Sequence, residues 1–128
     1  MTVFVDSDIL IEVLRGRDTA VQAQWLSLGA AGATILYSPV SSAEIWQGAR
    51  PSEREQTSRL FRPLLCVPID EAIGILAGGF LRRYGKSHSL ELPEAMIAAS
   101  AHQSRASLWT RNRKHYPMPE LSLYPLPG

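Results

Sequence analysis

The chain has 128 residues and a mass of 14.1 kDa, with 45% apolar and 20% charged residues, which suits one compact domain and excludes a disordered chain. Its single cysteine, Cys66, excludes a disulfide framework within the chain and favours a reducing compartment. The net charge of +1 hides a bias, because the 13 basic residues are 11 arginines and only two lysines, Lys86 and Lys114; arginine forks suit phosphate contact and surface ion pairs equally, so charge alone names no partner.

Residues 2–5, "TVFV", predict a first strand that runs into Asp6 and Asp8. Ser7 is the expected cap of the next helix, whose Ile9, Leu10, Val13 and Leu14 recur at helical spacing until Gly16. A second amphipathic helix carries Val21, Trp25, Leu26 and Leu28, and "GAAGA" separates it from a second strand, "TILYS". Residues 40–49 read as a short helix opened by Ser41, and another starts at Pro51 with Glu53 and Glu55 in its first turn. "LCVPI" predicts a third strand, in which Cys66 is expected to be a small buried hydrophobe. Asp70 is placed to cap the following helix, and Pro93 to begin a helix over 93–104 whose small residues allow close packing. "ASLWT" is the expected fourth strand, and "LSLY" a fifth at the sheet edge.

Alternating strands and helices imply α/β architecture, a mainly parallel sheet of four to five strands between helical layers. The whole chain, 1–128, reads as one domain without repeats or linkers. No apolar run is long enough for a membrane span, and the N-terminus lacks the regions of a signal peptide, so a cytoplasmic location is expected.

Ligands of an open parallel sheet sit beyond the carboxyl ends of its strands. Asp6 ends strand one, Glu44 follows strand two, Glu94 opens the helix before strand four, and Asn112 follows that strand. Gathered carboxylates repel unless protonated or shared by a cation, and oxygen ligands without a Cys/His cluster suit Mg²⁺ or Mn²⁺. Each acid also has a plain structural role: Asp6 or Glu94 as a cap, Asp8 as a first-turn acid, Glu44 as a solvated surface group.

"VFVDSDILIEVLRG", "SPVSSAEIWQGAR", "LELPEAMIAASA" and "LWTRNRKHY" resemble, in order and spacing, the motifs of PIN-domain ribonucleases, specifically the VapC-type toxins of toxin–antitoxin pairs. The resemblance implies an α/β/α sandwich and an acidic, Mg²⁺-dependent endoribonuclease site. It assigns the acids to Asp6, Glu44 and Glu94, the final motif to Asn112, and a supporting hydroxyl to Ser41. It also implies a homodimer and a cognate antitoxin whose segment covers the acids; the sequence itself offers only apolar surface candidates such as Trp46 and Leu60 for these contacts. The third acid is usually Asp in this family, so Glu94 moves the carboxylate outward by about one bond, ~1.5 Å. The alternative is a PIN-like domain whose site is impaired at Glu94 and which binds RNA or a partner without cutting. Arg111, Arg113 and Lys114, flanking Asn112, are expected to hold RNA phosphates.

Overall fold

The computed structural model describes residues 1–125. Four strands, β1 (Thr2–Val5), β2 (Thr34–Tyr37), β3 (Leu65–Cys66) and β4 (Ser107–Trp109), form one sheet in the order β3-β2-β1-β4. Every pairing is parallel, and β1 is central, aligning Phe4 with Leu36 of β2 and with Leu108 of β4. Between the strands lie α1 (Ser7–Arg15), α2 (Thr19–Ala30), α3 (Pro39–Gly48), α4 (Arg54–Phe61), α5 (Glu71–Tyr84) and α6 (Leu92–Gln103).

The period-2 alternation of β side chains divides the interior into two cores. Phe4 and Leu108 point into a core with Ile73, Ala77 and Phe80 of α5 and Ile97, Ala98 and Ala101 of α6. Val3, Val5, Ile35 and Trp109 point the other way, into a core with Ile9 and Leu10 of α1, Val21 and Leu28 of α2, Ile45 of α3 and Phe61 of α4. The small side chains of α6 let it pack closely on α5. The result is the expected three-layer sandwich.

Several local expectations change. Asp6, not Ser7, caps α1: its backbone is extended, and its Oδ1 accepts the Ser7 N–H at 2.7 Å. Gly16 ends that helix in the left-handed region at φ 67°. Ser38, not Ser41, caps α3, its hydroxyl accepting the Val40 N–H, because Pro39 takes the first helical position and draws the start of the helix forward. The third strand keeps only Leu65 and Cys66, since Pro68 removes a ladder donor just beyond them. Cys66 is exposed on that outer strand rather than buried. The fifth strand shrinks to one parallel bridge between Leu123 and Leu108, flanked by Leu108 N–H to Ser122 O and Tyr124 N–H to Leu108 O.

The chain leaves β1 toward β2 and β3 on one side and returns to β4 on the other. The strand order therefore reverses between β1 and β4, where a ligand crevice opens beyond the strand ends. Asp6 and Thr110 are the first residues past those two strands.

Candidate active site

Asp6 is buried at that reversal and is hydrogen-bonded on both oxygens. Oδ1 takes the Ser7 N–H, while Oδ2 accepts from the Thr110 hydroxyl and the Tyr116 hydroxyl, each at 2.8 Å. Burial, and then the neighbouring Asp8 charge, raise its pKa against the lowering effect of those bonds. Burial beside Asp6 also pushes the Tyr116 phenol strongly upward, so it remains a donor. Asp8, in the first turn of α1, accepts the Arg111 N–H at 2.8 Å, and burial raises its pKa as well.

The second wall comes from α3. Ser41 is fully buried, with its Oγ 2.8 Å from Ser7 Oγ, and Ser7 donates to Glu44 Oε1 at 2.7 Å. A hydroxyl has one proton, so Ser41 supplies its own to Ser7 and the relay fixes the Glu44 carboxylate toward the cleft. The third wall is α6. Glu94 in its first turn has Oε1 3.7 Å from His115 Nδ1, while Oε2 is buried without a hydrogen-bond partner among the described residues. Asp6, Asp8, Glu44, Glu91, Glu94, Asn112 and His115 all line one cleft of about 280 Å³.

The four expected residues Asp6, Glu44, Glu94 and Asn112 thus meet around one space, with Ser41 supporting Glu44 from behind. The basic residues are placed differently from one another. The Arg111 guanidinium is turned inward, 3.3 Å from Glu12, 3.2 Å from Asp18 and 3.9 Å from Asp8, so its fork is occupied by protein carboxylates rather than left open for phosphate. Arg113 donates to the Tyr124 carbonyl at 3.0 Å. Lys114 is exposed and makes no ion pair among the described residues. Trp46 and Leu60, half-buried, pack against the α1–α4 core, so neither is a free apolar surface.

Sequence reasoning missed Thr110, Tyr116 and Ser7 and left Asp8 as a helix-start acid. Thr110 was findable, as a hydroxyl directly past β4. Tyr116 carries no local signal, since its partner Asp6 lies 110 positions away.

Among the described residues, no three His, Cys, Asp or Glu side chains stand close enough to enclose an ion by themselves. The donor chemistry nonetheless fits Mg²⁺, which keeps several waters and takes only one or two carboxylates. The orphaned Glu94 Oε2 and the crowded Asp6–Asp8 pair are the atoms that a cation would satisfy.

The sequence pattern of the PIN domain matches residues 3–121. This chain belongs to the PIN-domain family. The domain is 37% identical over 117 residues to the ribonuclease VapC10 of Mycobacterium tuberculosis, covering 91% of this chain and 86% of the relative. It is 31% identical to the ribonuclease VapC19 of the same organism, over 89% of this chain and 91% of the relative. The PIN fold here also superimposes on VapBC2 of Rickettsia felis, solved bound to a promoter DNA fragment, with a TM-score of 0.79 at 21% identity over 97% of this chain and 98% of that one. VapBC-1 of nontypeable Haemophilus influenzae gives a TM-score of 0.78 at 20% identity, over 97% of both chains. No helix among the described residues is long and apolar enough to cross a membrane.

Proposed function

We propose that this PIN domain is a Mg²⁺-dependent endoribonuclease, the toxin of a toxin–antitoxin pair, with Mn²⁺ able to substitute. The observation that carries this reading is the cleft at the β1/β4 reversal, which five carboxylates line and where Glu94 leaves a buried oxygen without a partner among the described residues.

Asp6 and Glu94 would hold the ion, with Glu44 and Asp8 facing the same space. A bound divalent cation supplies charge neutralisation at the scissile phosphate and a lowered pKa for a coordinated water. The chain's own groups do the positioning. Thr110, Tyr116 and the Ser7 N–H fix both oxygens of Asp6, so the carboxylate does not reorient when substrate arrives. The Ser41–Ser7 relay aims Glu44 to orient or deprotonate the attacking water. Asn112 offers a neutral hydrogen bond at the exposed rim, and Lys114 beside it a free cation for an RNA phosphate.

The VapC relatives are named ribonucleases, and the Rickettsia and Haemophilus proteins are VapBC assemblies. By that kinship the partners are RNA, a second copy in a homodimer, and an antitoxin that covers the acids.

Purified protein and Asp6→Asn should be compared on single-stranded RNA with Mg²⁺, with Mn²⁺ and with excess chelator. Cleavage by the wild-type chain that vanishes in chelator and in Asp6→Asn is the expected result. Binding of RNA with no cleavage under any metal would favour the reading of an impaired site.

A further inference from the structure

The acidic cleft is not the largest concavity of the chain. A groove of about 570 Å³ runs beside it between the C-terminal half of α1, the end of α3 and the start of α4. The two share Ile11 and Glu44, so the groove opens directly onto the catalytic acids. Three arginines line it: Arg15 in the last turn of α1, Arg17 just beyond, and Arg50 after α3.

What sets these arginines apart is that, unpaired, they share one groove: Arg54, Arg62, Arg82 and Arg105 also form no ion pair among the described residues, but none of them lines either concavity. Arg59 pairs with Glu55, Arg83 with Glu120, and Arg111 with three acids. Arg15, Arg17 and Arg50 are exposed and form no ion pair among the described residues, although all three face the same space. The two acids of the groove are already engaged, Glu44 by the Ser7 hydroxyl and Glu53 by the Arg50 N–H. Among the described residues no aromatic side chain lines the groove, so they offer charge and an aliphatic floor of Ile11, Leu14 and Ile45 but no platform for base stacking.

The geometry points to a phosphate track: the groove holds the RNA strand that flanks the scissile bond, gripping successive phosphates with Arg15, Arg17 and Arg50 irrespective of base sequence. This rests on the ribonuclease reading of the adjoining cleft. It moves the substrate-holding role from Arg111, which is tied to protein acids, to the groove arginines. It also assigns grip to this groove and choice of sequence elsewhere, because backbone contacts carry no base information.

The test separates binding from cutting. Asp6→Asn protein in chelator is titrated with a fluorescent single-stranded RNA of ~15 nucleotides over a range of salt, with and without the triple change Arg15→Ala, Arg17→Ala, Arg50→Ala. Each lost contact should reduce the slope of log affinity against log salt by ~0.7, so the triple variant should lose about 2 in slope. Replacing all three by lysine should restore most of it, which a misfolded variant would not show. In the cleaving protein, the triple alanine change should raise KM for the long RNA about 10-fold or more while leaving a dinucleotide substrate unaffected, since the dinucleotide does not reach the groove. An unchanged salt slope overturns the proposal even if the wild-type chain cuts RNA. A slope that falls as expected sustains it even if the wild-type chain proves not to cut. A triple variant that keeps its RNA slope but loses binding to a poly-glutamate peptide also overturns it, giving the groove to an acidic protein segment.

Discussion

On the sheet wall of the cleft, Asp6 accepts three hydrogen bonds from Ser7, Thr110 and Tyr116, and Asp8 is held by the Arg111 N–H. On the α6 wall, Glu94 has one buried oxygen with no partner among the described residues and the other 3.7 Å from His115. Both walls carry acid, yet among the described residues only the first has its acceptors filled. A carboxylate with filled lone pairs is a fixed feature of the fold, whereas one buried and unfilled carries an unmet desolvation cost that a ligand can relieve. The sheet wall is therefore the preformed side, and the α6 wall is the side where, on the proposed reading, a bound cation would gain most.

Removing charge from each wall sharpens that contrast most. Asp6→Asn and Glu94→Gln should both reduce metal-dependent cleavage to background, but their effects on folding should differ. An amide has one acceptor oxygen where Asp6 uses two, so Asp6→Asn leaves a buried donor unmatched and should cost about 1–3 kcal/mol in denaturant unfolding. Glu94→Gln removes the charge from a carboxylate whose buried Oε2 has no partner among the described residues, and should leave metal-free stability unchanged or raised. Equal losses would erase the distinction between the walls.

Glu94→Asp tests the same wall by geometry. Shortening the side chain by about one bond, ~1.5 Å, withdraws it from His115 and returns the carboxylate to the length usual in the family, so cleavage and Mg²⁺ affinity should both rise, by up to about 10-fold. Single-turnover rates at matched free Mg²⁺ decide this, and a slower Glu94→Asp protein would show that the backbone of α6 is already set for Glu. On the sheet wall, Tyr116→Phe removes one of the two donors to Asp6 Oδ2 and should weaken metal binding by about 10-fold with a smaller effect on turnover at saturating metal.

The smallest effect concerns the Arg111 cluster behind the sheet wall. Glu12 feels burial, which raises its pKa, but the N–H groups of Asp18 and Arg17 and the Arg111 guanidinium outweigh it and lower the value overall. A lowered folded pKa contributes stability that is complete above the unfolded value of 4.5 and is lost as pH falls through the folded one. Acid unfolding of Glu12→Gln should therefore show a shallower loss of stability below the ordinary carboxylate range than the wild-type chain. Superimposable pH profiles would remove Glu12 from the network.

How far the sequence speaks follows the same division. β1, β2 and β4 were readable because each is a β-rich run bounded by turn residues, and the acids at their ends could be placed from parallel topology alone. The caps were misread where two candidates adjoin: Asp6 and Ser7 both suit α1, and Pro39 settles the start of α3 in favour of Ser38 over Ser41. β3 and the "LSLY" segment failed as full strands because Pro68 interrupts the first and only Leu123 of the second bridges to β4. The α6 acid stood out as a departure from a motif, while the Tyr116 contact that completes the sheet wall depends on tertiary closure and leaves no local pattern.

Calorimetric titration of Mn²⁺ into the chelator-stripped wild-type chain, Asp6→Asn and Glu94→Gln addresses the claim on which the rest depends, that the two walls share one cation. A single site in the wild-type chain, weakened at least about 10-fold by either substitution, is the predicted result. Binding that survives both substitutions unchanged would contradict it.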